Sequence, residues 1–142
     1  MSHWNKTLGI VLGLMVASCS NNPSQSADSN VEEKASAISL VDASSASKLL
    51  EEDKTAVLLD VRTPEEFNAG HIDGAENIDF KSPDFVDKIG NLAKDKHYVV
   101  YCGSGKRSGK ATAKMDELGF TKITDVDGGI TAWSAANLPL VQ

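Results

Sequence analysis

The chain has 142 residues, 41% of them apolar and 24% charged, with a formal net charge of −6. That length supports one domain with its own core and excludes two of ordinary size. An acidic balance without a basic stripe interleaved with aromatics excludes a nucleic-acid-binding surface.

Lys6 and the amino terminus form a weakly basic stretch ahead of the apolar run from Leu8 to Ala17. This is the layout of a signal peptide and is shorter than the ~20 residues of a membrane-spanning helix. The end of the segment, Val16-Ala17-Ser18-Cys19, resembles the lipobox of bacterial lipoproteins, in which the cysteine is acylated and becomes the first mature residue. The alternative is an ordinary signal peptide with an incidental cysteine. Residues 1–18 are thus expected to be a lipoprotein signal peptide. Residues 19–37, rich in Ser, Asn, Gln and Asp, are expected to carry the lipidated Cys19 and a linker too polar to build a core. The folded domain is expected over 38–142. The resemblance implies an exported, membrane-anchored protein, periplasm-facing or at the outer membrane in a Gram-negative host and on the cell surface in a Gram-positive one.

Within the domain, apolar runs alternate with helical patterns. Ile38–Val41 reads as a short strand, and Ser44 to Glu52 as a helix with Ala46, Leu49 and Leu50 on one face. Ala56 to Val61 is a nearly continuous apolar run, as expected of a strand covered on both faces of a parallel sheet. Thr63-Pro64-Glu65-Glu66 is a capping box with proline at the first helical position, and the helix it starts ends at Gly70. A short extended piece is predicted over Glu76–Asp79, a helix after Ser82-Pro83-Asp84, and a buried strand over His97–Tyr101. A helix from about Ser108 to Leu118, a strand over Ile123–Val126 and a helix containing Trp133 complete the chain. The alternation predicts an α/β domain with a mostly parallel sheet of about five strands and helices on both faces. Ligands of such sheets bind at the carboxyl ends of the strands, where Asp60, Arg62 and Cys102 all fall.

Cys102 opens the run Cys102-Gly103-Ser104-Gly105-Lys106-Arg107-Ser108, in a loop expected to be exposed. A sulfur there is followed by two glycines, two cations and a helix start. Backbone amides and the positive helix end favour a thiolate and an anion beside it. Cys102 is the one cysteine of the folded domain, so no internal disulfide is expected. His71, His97 and Cys102 lack metal-ligand spacing, and neither a metal nor a cofactor is expected.

These residues resemble a single-domain rhodanese of the sulfurtransferase family, over about residues 38–142. The likeness rests on Leu59-Asp60-Val61-Arg62-Thr63-Pro64-Glu65-Glu66-Phe67, on Gly70-His71-Ile72-Asp73-Gly74-Ala75-Glu76-Asn77-Ile78, on Val100 to Ser108, and on Gly128-Gly129-Ile130-Thr131-Ala132-Trp133. Four such segments in the expected order are a specific signal. The resemblance implies a three-layer α/β/α domain and catalysis through a persulfide on Cys102. The amides of Gly103 to Ser108 would stabilise the thiolate and persulfide, and Lys106 and Arg107 would bind the sulfonate of thiosulfate. The acceptor would be cyanide or a small thiol; no protein partner is indicated.

Four residues separate Cys102 from Arg107, as in rhodaneses; the phosphatases of this fold carry five. Gly103-Ser104-Gly105 is also similar to mercaptopyruvate sulfurtransferases, from which Lys106-Arg107 departs. The alternatives are a sulfur-carrier or binding module without turnover, and phosphatase or arsenate reductase chemistry. Asp60 is expected to accept hydrogen bonds or pair with a cation beneath the loop. Arg62 either borders the substrate or pairs with Glu65 or Glu66. His71 and Trp133 read as packing residues, and Ser104 and Ser108 as substrate contacts or helix caps.

Overall fold

The computed structural model describes residues 35–142. The expected signal peptide, Cys19 and most of the expected linker lie outside the described residues. The chain runs β1 (Ile38–Val41), α1 (Ala43–Glu52), β2 (Val57–Asp60), α2 (Pro64–Asn68), β3 (Glu76–Asn77), α3 (Phe85–Gly90), β4 (His97–Tyr101), α4 (Lys106–Glu117), β5 (Lys122–Val126) and α5 (Gly129–Ala135). The five strands form one sheet in the order β1-β5-β4-β2-β3, and every pairing is parallel. The mostly parallel five-stranded α/β sheet expected from the sequence is the one observed.

Side chains of successive strand residues alternate between the two faces, and each face has its own core. On one side Leu59, Tyr98, Val100 and Ile123 pack with Phe85 and Ile89 of α3 and Ala111 and Met115 of α4. On the other, Leu58, Val99, Tyr101 and Val126 pack with Ala43 and Ala46 of α1 and Trp133 of α5. β4 lies centrally and is buried along its whole length, which suits its mostly apolar sequence.

Two of the element boundaries that differ from the sequence reading bear on the site. The extended piece expected over Glu76–Asp79 pairs only at Glu76 and Asn77. Asn77 is more than a turn marker: its Nδ2 donates to Asp60 O at 3.0 Å and Arg62 O at 2.9 Å. That clamps the chain where β2 reaches the carboxyl edge of the sheet. The fourth helix begins at Lys106, two residues before Ser108. Its N-cap is Gly105 in the left-handed region at φ 91°, so no capping side chain marks the true start.

Candidate active site

β4 delivers Cys102 to the carboxyl edge of the sheet, and three residues later α4 begins. Gly103, Ser104 and Gly105 fold back over the sulfur, and Gly105 N donates to Cys102 Sγ at 3.1 Å. Contrary to the exposed position expected from the sequence, Cys102 is only 1% exposed. Burial on its own pushes the thiol pKa up; hydrogen bonds from the Ser108 amide and hydroxyl and from the Ser104 and Gly105 amides outweigh it. The net shift is downward, toward the thiolate. The twelve-residue α4 also directs its positive end at this point.

The last helix holds the loop from behind. Ile130 N donates to Cys102 O at 2.8 Å, and the Thr131 amide and hydroxyl both donate to Gly103 O, at 3.2 and 2.9 Å. This requires an unusually close approach. A Cβ on Gly129 would stand 2.2 Å from Cys102 O, and Gly129 has φ 56°. The Gly128-Gly129 pair therefore lets the start of α5 touch the backbone of the nucleophile loop.

The expected substrate-facing residues divide. Ser104 and Lys106 are exposed, Lys106 at the first position of α4. Ser108 is fully buried and its hydroxyl donates to Gly105 O at 3.2 Å. Its amide and hydroxyl also face the Cys102 sulfur, so it supports the nucleophile from a buried position.

Arg107 differs more. Its Nη1 and Nη2 fork onto Glu66 at 2.7 and 2.8 Å, a bidentate pair that already occupies the guanidinium expected to meet the sulfonate. Arg62 does not border the substrate, nor does it pair with Glu65 or Glu66. It is buried, its Nε lies 3.0 Å from each Asp60 oxygen, and its Nη2 reaches Asp60 Oδ2 at 2.6 Å and Gly70 O at 2.8 Å. Asp60 is thus paired with a cation beneath the site, with 0% of its surface exposed. The pair ties β2 to the turn before His71. His71 stacks on Phe67 at 3.8 Å, with Nδ1 3.1 Å from Phe67 O, a packing arrangement.

One buried acid went unread in the sequence. Asp125, on β5, is 6% exposed, and its Oδ1 has no hydrogen-bond partner. Burial pushes its carboxyl up toward the neutral acid, against a hydrogen bond to Ser108. Among the described residues, no group of three His, Cys, Asp or Glu side chains converges as a metal site would require.

Glu66 is held down to about 2, first by the Arg107 hydrogen bonds and then, after the opposing effect of burial, by the Thr63 amide. Asp53, at the opposite edge of the sheet, is held at about 2 by the Thr55 hydroxyl and then by His97. Their ordinary values are 4.5 and 3.8. The stability contributed by the two carboxylates is therefore complete above the higher ordinary value and is lost as the pH falls toward 2. Thermal melts should give a flat Tm from neutrality down to the ordinary range and a fall below it. Glu66→Gln should remove its share of that fall; an identical acid profile in the variant would contradict the assignment.

A model of the rhodanese-like domain matches residues 42–136. The chain belongs to the rhodanese-like domain family. It is 41% identical over 91 residues to thiosulfate sulfurtransferase 16 of Arabidopsis thaliana, a match covering 57% of this chain and 76% of the relative. It is 33% identical over 101 residues to a sulfurtransferase of Allochromatium vinosum, covering 71% of this chain and 92% of that one. The crystal structure of a rhodanese-related protein from Thermoplasma volcanium superposes with a TM-score of 0.60 at 38% identity, covering 68% of this chain and 93% of that one. Relatives of this kind support sulfur transfer as the reaction class of this rhodanese-like domain.

Proposed function

We propose that the domain is a thiosulfate sulfurtransferase working through a Cys102 persulfide. The observation that carries the reading is the Cys102 sulfur buried under the Gly105 amide at the start of α4, with its pKa shifted toward the thiolate. The thiolate attacks the outer sulfur of thiosulfate, the S–S bond breaks, and its electron pair leaves with sulfite. The persulfide formed carries its charge where the sulfonate sulfur's neighbour had been, within reach of the loop amides. Cyanide or a small thiol then attacks the outer sulfur and regenerates the Cys102 thiolate. No general base is assigned, because the hydrogen bonds around the attacking sulfur already favour its thiolate. Lys106, exposed at the first turn of α4, is the cation placed to meet the sulfonate.

The four-residue spacing between Cys102 and Arg107 supports this over phosphatase or arsenate reductase chemistry, which uses the wider loop. The intact loop with both cations supports turnover over a passive sulfur carrier. Steady-state thiosulfate:cyanide transfer measured beside phosphate-ester hydrolysis tests the reading. It expects the first activity without the second; the reverse result would overturn it.

The same reading places the domain at a membrane through an acylated Cys19, on the sequence Val16-Ala17-Ser18-Cys19. Multiple acyl chains, at ~0.8 kcal/mol per buried CH₂, anchor stably where a single chain does not. Cell fractionation should find the wild type with membranes and Cys19→Ala released from the lipid anchor. Wild type in the soluble fraction, or a variant that stays membrane-bound, would remove the anchor.

A further inference from the structure

Glu66 has two attachments. As the third residue of α2 it closes the capping box, with Oε2 accepting from Thr63 N at 3.2 Å and its own amide donating to Thr63 Oγ1 at 3.3 Å. Its two oxygens also receive the fork of Arg107. The pair lies against the first residue after the nucleophile: a Cβ on Gly103 would stand 3.2 Å from Arg107 Nη2 and 3.9 Å from Glu66 Oε1. The Glu66 side chain is 38% exposed and that of Arg107 23%. Both charges thus border solvent at the mouth of the site. An arriving anion meets a guanidinium whose field is already offset by a carboxylate at the same place.

That arrangement weighs donors by charge. Coulomb energy scales with the charge of the donor, so a fixed carboxylate at the mouth disfavours a dianion twice as strongly as a monoanion. Thiosulfate is a dianion; an organic thiosulfonate carries the same transferable sulfur with one negative charge. The chemistry is the same for both. The Cys102 thiolate bonds to the outer sulfur, the S–S bond breaks, and its electron pair leaves with sulfite or with the sulfinate. No oxidant or reductant is consumed.

We propose that Glu66 is a specificity-determining residue for the sulfur-transfer reading above, on which this inference rests: its carboxylate, forked onto Arg107 beside Gly103, makes the site select against doubly charged donors. The Arg107–Glu66 pair then acts as a charge filter, and Arg107 becomes available to a sulfonate only when Glu66 releases it.

Glu66→Gln tests this, because glutamine at the same position preserves the capping box while removing the charge. Wild type and variant are compared with thiosulfate and with benzenethiosulfonate as donors, at a pH where Cys102 is ionised. The expected result is a rise in kcat/KM of roughly threefold for benzenethiosulfonate and roughly tenfold for thiosulfate, the second close to the square of the first and expressed in KM. Equal changes for the two donors, or a fall for both, would overturn the proposal. A second measurement is independent of turnover: the ratio of Cys102 alkylation rates by iodoacetate and by uncharged iodoacetamide should rise roughly threefold in the variant. If the wild type transfers sulfur from neither donor, the sulfur-transfer reading falls. The alkylation ratio then still decides the role of Glu66, a rise supporting charge selection at Cys102 and an unchanged ratio overturning it.

Discussion

Cys102→Ser is expected to abolish sulfur transfer and to leave the fold standing. In the proposed reaction the intermediate is a covalent bond to that sulfur, and a serine hydroxyl, with a pKa far above the working range, offers no comparable nucleophile. The fold should survive because oxygen replaces sulfur without a change of shape, and the Gly105 amide that donates to Sγ at 3.1 Å can donate to the hydroxyl instead. Cys102 is buried, so the smaller atom leaves a slight void and a stability loss of about 1 kcal/mol. Donor turnover and a thermal melt on the same preparation check both halves. Turnover by the variant above the uncatalysed rate would remove Cys102 from its assigned role. A collapsed melt would show that the thiol is a packing residue first.

Gly129→Ala should be among the most damaging single-atom additions in the domain. At φ 56° an alanine pays about 1–2 kcal/mol for the left-handed conformation. Its Cβ would also lie 2.2 Å from Cys102 O and 2.9 Å from Cys102 C, backbone atoms that move only if the nucleophile loop moves. Overpacking of this kind adds about 1–3 kcal/mol. Together these lower the Tm by ~10 °C or more for a domain of this size. Gly119→Ala is the control, because Gly119 has φ 88° with nothing within 4 Å of the added atom. It should show the conformational penalty alone and keep its activity. Gly129→Ala should lose both stability and transfer, since Ile130 N and Thr131 N can no longer hold Cys102 O and Gly103 O. Equal melts for the two variants would contradict the close contact.

Much of the fold was readable along the chain because its signals are local. Ile38–Val41 and His97–Tyr101 are observed with the expected limits, each a short, mostly apolar run. The capping box at Thr63 formed as its spacing implies. Local signals fail where the backbone itself supplies the cap. Gly105 starts α4 through a positive φ and no side chain, so the sequence signal for the helix start falls on the next capping-type residue, Ser108.

Long-range pairings were unreadable for a different reason. Glu66 and Arg107 are 41 positions apart, and only the adjacency of β2 and β4 in the sheet brings them together. Arg62 had acidic neighbours on α2 as apparent partners, yet the buried Asp60 two residues behind it offered both oxygens without solvent competition. Asp125 lies in a strand of mixed polarity, Lys-Ile-Thr-Asp-Val, and its proximity to Ser108 depends on how α4 packs on β5. The glycine pair at 128–129 was visible as a motif, but its purpose emerged only with the distance from Gly129 to Cys102 O.

The central claim is that Cys102 carries the transferred sulfur. Mass spectrometry of the intact protein after incubation with thiosulfate, followed by trapping with an alkylating agent and peptide mapping, measures this directly. The account predicts one added sulfur atom, located on the peptide containing Cys102 and removed by cyanide. Turnover with no sulfur added at Cys102, or added sulfur that cyanide does not remove, would contradict it.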